Sequence, residues 1–279
     1  MIGSRLARRA SYYDSSDRGF PELDELLLLW RYRGLVWELM VRDIKIRYKR
    51  SVLGIAWTML SPLLNMVALT LVFSALLRQQ IHNYPAYFMI GNMYWVFFAT
   101  GTSFAASQTT DANELAKRIF LPRSVFVVSS IGVAFVNLVL SLAPLVLILV
   151  ATRFRFRATS WFFPISLVFL GAFTLGVAFL IFTLASRFTD IREMYLVLVQ
   201  TWFFITPIVY APAIVPGRFR FILWLNPHYY LIQTFRAPVY DGMLPPLSVI
   251  AFSAGLSFLA LAVGWSFFCR SIQDYAFRT

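Results

Sequence analysis

Charge is what this chain has least of. Only 14% of its 279 residues are Asp, Glu, Lys or Arg, against 59% hydrophobic, whereas a soluble domain carries about 25% charged residues. That deficit excludes an ordinary soluble domain and indicates a polytopic membrane protein. Cysteine is limited to Cys269, which excludes an intrachain disulfide and any cysteine-based metal cluster. Histidine is limited to His82 and His228, far apart and without the H-E-x-x-H spacing of a helical zinc site. Both fall in segments expected outside the bilayer, where an ordinary surface or interface histidine is the simpler reading. No G-x-x-x-x-G-K-[ST] occurs, so the chain cannot itself cradle ATP in a P-loop. The first 34 residues lack a signal-peptide layout, because the apolar run at 26–30 is only five residues long.

What the chain does have is a succession of charge-free windows, 51–77, 79–110, 124–152, 158–186, 194–217 and 242–269, each of 24 residues or more. Twenty helical residues rise about 30 Å, the hydrocarbon thickness of a bilayer. The expectation is an all-α polytopic membrane protein with six transmembrane helices and both termini on one side. Between the fifth and sixth windows, residues 218–241 contain a short apolar piece interrupted by Pro227, too short to cross. A re-entrant or interfacial pair of half-helices fits there, provided it is buried in protein or lines water. None of the six windows contains Asp or Glu. That argues against a proton relay or ion-coupled transporter, and against an embedded metalloenzyme or carboxylate-catalysed glycosyltransferase.

The basic stretch before the first window sets the orientation. Residues 1–32 are polar and mixed in charge and read as a cytoplasmic tail. Arg42, Lys45, Arg47, Lys49 and Arg50 then crowd against the start of the first window, and cations there belong on the cytoplasmic side. With the N-terminus inside, twelve Lys and Arg near the spans fall inside and seven outside. Arg153, Arg155 and Arg157 run against the trend, either snorkelling beside Phe154 and Phe156 or meeting an external anionic ligand. The net charge of +12 is thereby accounted for without nucleic acid, whose readers need a soluble basic face. From Gly34 to Arg50, helical phase puts Val36, Trp37, Met40, Val41, Ile44 and Tyr48 on one face and Glu38, Arg42, Lys45 and Lys49 on the other. Leu35, Leu39 and Ile46 form a second apolar stripe. An amphipathic interface helix over 33–50 is expected, its second stripe touching protein.

Two loops on the inner side offer handles for a partner. In the first, Asp111 is expected to cap a short helix with Glu114 in its first turn and Lys117 and Arg118 near its end, before Pro122 stops it. Leu115, Ile119 and Phe120 would be apolar knobs on that helix, either docking a partner or resting on lipid. The second loop holds Arg187, Asp190, Arg192 and Glu193, which serve equally as a solvated cap or a second docking point.

The run from Arg42 and Asp43 through Arg47, Tyr48, Lys49, Arg50 and Ser51, continuing to Gly54, Trp57, Ser61 and Pro62, resembles the opening of type-2 ABC exporter permeases. It is most similar to their polysaccharide-export branch, which moves O-antigen, capsule, teichoic acid or related lipid-linked glycans. Lys117, Arg118, Ile119, Phe120, Pro122 and Arg123 resemble that family's coupling helix, and residues 186–192 its fourth inter-span loop. Asn226 and Pro227, with Tyr229, Tyr230 and Arg236, resemble its external periplasmic gate. The resemblance implies a half-transporter domain over 33–279 that acts as a homodimer with two copies of a separate cytoplasmic P-loop ATPase. It implies no cofactor in this chain, Mg-ATP in that partner, and a bacterial inner membrane location with cytoplasmic termini. Helices one and five would line the translocation path.

A glycan path favours aromatic faces that meet sugar C–H groups without fixed hydrogen bonds. Trp57 and Phe73 on the first span and Tyr195, Trp202, Phe203 and Tyr210 on the fifth are candidates, with packing and interfacial belts as the plain alternative. Tyr84, Tyr87, Tyr94 and Trp95 are expected in the external belt. Lys45, Arg47, Lys49 and Arg50 are placed to meet a polyprenyl diphosphate, Arg offering a bidentate fork, or simply lipid headgroups. Two other readings stay open: a small-molecule or drug exporter of the same superfamily, and a membrane glycosyltransferase or scaffold with no transport role.

Overall fold

The computed structural model of the chain describes residues 21–49, 51–76, 81–116, 121–153 and 157–276. Every regular element among them is helical. Helix α1 (Pro21–Arg31) opens on a proline, whose missing N–H is no loss in a first turn, with Glu22 and Asp24 at its start and Arg31 at its end. That charge order suits the helix dipole. Residues 21–31 are therefore not part of a loose tail: Ser124 donates to Glu25 Oε1 at 2.6 Å and Ser266 to Glu22 Oε1 at 3.2 Å.

Helix α2 (Arg33–Tyr48) leads into α3 (Ala56–Thr70), which a π-helical turn at Leu71–Leu76 prolongs. Helices α4 (Tyr84–Ser107), α5 (Thr109–Ala116), α6 (Ser124–Ala151), α7 (Phe163–Arg187) and α8 (Asp190–Ile205) follow. Two short helices, α9 (Arg220–Leu225) and α10 (Pro227–Arg236), then precede α11 (Leu247–Ala276). By length and composition, four described stretches can cross a membrane: Ala56–Phe73, Ser124–Ala151, Ala158–Arg187 and Leu247–Ser271. The chain is a multi-pass membrane protein.

The other two expected spans differ for physical reasons. Helix α4 is long enough at 24 residues, but seventeen of them are buried. It sits at the centre of the bundle and faces protein, which frees it to carry Asn92, Thr100, Thr102 and Ser103. Helix α8 has only 16 residues because Thr206, forced into extended backbone (ψ 132°) ahead of Pro207, ends it.

The helices share two ends. At one, Arg187 Nη2 donates to Ser271 Oγ at 2.8 Å and α1 meets Ser124, so the described parts of both chain termini lie together. At the far end, Asn83 Nδ2 donates to Thr152 Oγ1 at 2.9 Å and Thr159 to the Pro238 carbonyl at 2.9 Å. Helices α7 and α11 are held closest of all. A Cβ on Gly264 would lie 2.1 Å from the Gly176 carbonyl oxygen, and one on Gly176 2.3 Å from that of Ala260. Small residues that let backbones touch are the means by which helices associate where lipid is as apolar as they are.

Candidate functional site

The charged end brings two sequence candidates into one assembly. On α2 the residue buried against the bundle is Leu39, with Leu35 and Val36 beside it, while Trp37 and Ile46 are each 62% exposed. The second apolar stripe thus faces protein in part, but Ile46 does not join it. The buried polar residue of α2 is Asp43. Arg42 donates to its Oδ1 at 2.9 and 2.7 Å, and Gln108 Nε2, at the corner between α4 and α5, donates to its Oδ2 at 3.0 Å. This clasp ties the interface helix to the loop read as the coupling element. The family resemblance runs through Asp43, but the sequence assigns it no role, since a carboxylate among cations reads as part of a solvated charge pattern.

Helix α5 starts at Thr109, two residues before the expected cap, so Asp111 lies inside the helix rather than capping it. Glu114 is exposed and Leu115 half-buried against the cluster around Leu39, Ala112 and Phe126. Lys117, Arg118, Ile119 and Phe120 lie outside the described residues, as do Arg50 and Arg155. Pro122 is buried and accepts from Val125 N at 3.2 Å, and Arg123 accepts from Phe126 N at 3.2 Å, opening α6. In the second loop Arg187 reaches Ser271, Asp190 opens α8, and Arg192 and Glu193 form an exposed pair at 3.9 Å.

A polar cleft of about 360 Å³ lies between α3, α4 and α6, beneath the C-terminal end of α2. Arg47 and Tyr48 border its mouth, and Trp57, 47% exposed, its rim. Lys45 and Lys49 are exposed on the same helix end. Asn92, Asn137, Thr100 and Ser141 line the cleft together with the exposed Asn65. None of these five was a sequence candidate. Single amides and hydroxyls scattered through apolar windows carry no periodic signal, and only the packing collects them.

At the far end the chain after α8 is irregular from Thr206 to Ala211 and then makes two 3-10 turns, Pro212–Ile214 and Gly217–Phe219. Four successive carbonyls there are each capped by a side chain. Arg236 donates to Pro207 O at 2.9 Å and Ile208 O at 3.4 Å, Tyr84 to Val209 O at 2.9 Å and Tyr87 to Tyr210 O at 2.9 Å. The Arg236 guanidinium also donates to the Tyr87 hydroxyl at 2.8 Å and lies 3.7 Å over the Tyr87 ring. Asp241, nearby, has its carboxyl raised by burial, against the pull of the Arg236 charge. Tyr84, Tyr87, Tyr94 and Trp95, expected in an outer belt, are instead 0–5% exposed in the core.

Helices α9 and α10 meet at Asn226, which accepts from Trp202 Nε1 and His228 N at 3.0 Å each and donates to Thr206 at 2.9 Å. Helix α10 then runs along α4, His228 beside Trp95 and Phe98 and Arg236 beside Tyr87. His228 is no surface histidine: it is fully buried among Phe98, Trp95, Trp202 and Phe173 at ring-centroid distances of 4.2–5.3 Å. Tyr229 and Tyr230 pack edge-on at 5.3 Å, and Tyr230 rests on Phe252.

The aromatic path candidates fall in different settings. Phe73 stacks on Tyr84 at 5.8 Å, Trp202 is held by Asn226, and Tyr210 donates to the last carbonyls of α8. Phe203 packs on Trp95, and Tyr195 is 5% exposed inside the bundle. Of the six, Trp57 stands most open. No group of three or more potential metal ligands occurs among the described residues.

These features define a helical membrane protein that carries handles at one end, a polar notch within and a tightly capped helix pair at the other. Residues 34–240 match the ABC-2 type transporter family, and the chain belongs to that family; it is a transport component rather than an enzyme. It is 30% identical over 253 residues to the O-antigen export system permease protein RfbA of Myxococcus xanthus, covering 89% of this chain and 96% of that protein. A protein of the same description from Klebsiella pneumoniae is 28% identical over 217 residues, 76% of this chain and 83% of that one.

Proposed function

We propose that the chain is the permease half of an ATP-driven exporter that carries a lipid-linked polysaccharide, such as O-antigen, capsule or teichoic acid, out across the bacterial inner membrane. Two copies form the path, with helices α3 and α8 along their seam, and six spans leave both termini cytoplasmic. The end bearing α2 and α5 faces the cytoplasm. Two P-loop ATPase subunits dock there and hold Mg-ATP, because this chain has no phosphate loop of its own. Lys45, Arg47, Lys49 and Arg50 meet the carrier's diphosphate. The α9–α10 pair is the external gate.

The observation that carries this reading is the Asp43–Gln108 clasp at 3.0 Å. It makes one platform of the interface helix and the α4–α5 corner, so that a single docked motor moves both. The names of the O-antigen permeases supply the cargo class, and the absence of carboxylates from the spans speaks for a passive, partner-driven path.

Removing the chain from cells should strand polyprenyl-linked glycan in the inner membrane and strip the glycan from the cell surface, as read by lipid mass spectrometry and surface staining. A P-loop ATPase should co-purify with the full-length chain. Unchanged surface glycan in the deletion strain would refute the function.

A further inference from the structure

Building on that function, we infer that the cleft between α3, α4 and α6 is a sugar-binding site, which takes the hexose joined to the carrier's diphosphate before it enters the path between the two copies. The first ground is its lining. Asn65, Asn92 and Asn137 bring three side-chain amides, and Thr58, Thr100 and Ser141 three hydroxyls, into one cavity. The amides both donate and accept, while the three hydroxyls, each donating to a carbonyl of the chain just before it, present oxygens that accept, so that together they match the hydroxyls of a sugar. No carboxylate lines it, so it is not built for a cation, and Arg47 at the mouth is its single charged lining residue among the described residues. A diphosphate at the mouth and a neutral ring within match that distribution.

The second ground is an amide that faces the cleft without a hydrogen-bond partner. Asn92 is 7% exposed, lines the cleft, and makes no hydrogen bond to any described residue. Asn137, equally buried, accepts from Tyr48 only at 3.4 Å. Asn137 is the fourteenth of the 28 residues of α6, about 20 Å along it, so the floor of the cleft lies near mid-membrane. These amides open into the cleft instead of being sealed in the core, so they can meet a hydrogen-bonding ligand there, and polar side chains at membrane depth mark substrate pathways.

The third ground is size and rim. About 360 Å³ falls within the usual range of small-ligand pockets, roughly 300–1,000 Å³. The half-exposed Trp57 indole at the rim offers a flat face to the C–H side of a ring. Its position on α3, the helix with the smallest buried share among the membrane-length stretches at 6%, puts the site beside the helix that lines the seam.

The test uses the permease with its ATPase in phospholipid nanodiscs and three probes: undecaprenyl diphosphate bearing one N-acetylhexosamine, bare undecaprenyl diphosphate, and the free amino sugar. Asn92→Leu and Asn137→Leu should each weaken the sugar-bearing lipid about tenfold, some 1.4 kcal/mol, and leave the bare lipid unchanged. Arg47→Leu should weaken both lipids alike. Because Cys269 is 3% exposed, Ser61→Cys gives a site-directed thiol on the cleft wall. It should react with a water-soluble maleimide and be protected by the sugar-bearing lipid but not by the bare one. The site is overturned if the leucine variants bind the sugar-bearing lipid as wild type does, or if bare lipid protects equally. In that event, glycan stranded by deletion of the chain still upholds the export function. If no glycan is stranded, both fall.

Discussion

The four capped carbonyls after α8 make Arg236 the residue whose loss should be felt most at the far end. Irregular backbone at membrane depth persists only where its polar groups find partners. Arg236→Met would leave Pro207 O and Ile208 O without their donor and remove the bond to Tyr87. A bond from a charged donor contributes about 1.5–3 kcal/mol, and removing a buried charge offsets part of the loss. The net cost should be about 2–4 kcal/mol, a melting shift of roughly 5–10 °C. Arg236→Lys should resemble the Met variant more than wild type, because a point ammonium cannot reproduce the fork. Gly91 supplies the sharper test. A Cβ there would lie 2.4 Å from Arg236 Nη2 and 3.3 Å from Ile208 Cγ2, so Gly91→Ala should cost about 1–3 kcal/mol through overpacking. In the Lys background, which lacks that nitrogen, the same alanine should cost little, and the two substitutions should couple strongly. Thermal unfolding of the four proteins in one detergent measures this. Additive effects, or an Arg236→Lys protein that melts with wild type, would refute the capping account.

The remaining predictions concern the two other polar clasps. Asp43→Ala, which strips Gln108 and Arg42 of their acceptor, should lower the stimulation of the partner's ATPase activity, whereas Asp43→Asn, still an acceptor for Gln108, should keep most of it. Equal turnover in both variants would detach α2 from the coupling route. Asn226→Ala should destabilise the α9–α10 turn by about 2–3 kcal/mol through three lost bonds, and Asn226→Asp, which still accepts from Trp202 and His228, by less, as melting of the purified permease will report.

Much of the fold is legible in hydropathy and in proline. Pro227 marks where α9 gives way to α10, because a proline constrains its predecessor whatever surrounds it, whereas Pro207, inside the window expected to span, cuts α8 short at Ile205. What stays hidden is decided by packing partners. Tyr84, Tyr87, Tyr94 and Trp95 have the composition of an interfacial belt, yet they point inward because α4 is surrounded by protein. His228 looks like a loop residue until α10 is laid along α4. Asn92 and Asn137 stand 45 positions apart, and no local pattern joins them. Helix α1 contains its own signals, Pro21 and the acidic first turn, but a stretch of 11 residues beside a polar segment is easily taken for tail.

The distribution of contacts also says which parts can move. Helices α7 and α11 meet through backbone at Gly176 and Gly264, a contact with no slack, and α4 is enclosed on all sides. Helix α3 is the opposite case, with 6% of its membrane-length stretch buried against 50% in α6 and in α7. Helix α8 likewise presents Met194, Val197 and Phe204 at 64–73% exposure. A displacement applied at the charged end reaches α3 directly through the chain, since α2 is the helix that precedes it. It reaches the rigid centre through the Asp43–Gln108 clasp, through Leu39 in its cluster with Phe126, and through Met40 against Gly132. On the proposed reading, a motor acting on that platform would press on α3 and, through α2, on α4 and α6, the helices that form the cleft with it. Because α3 is less buried than α4 or α6, a sugar held in the cleft would, on that reading, leave by a shift of α3 with the Gly176–Gly264 contact of α7 and α11 undisturbed.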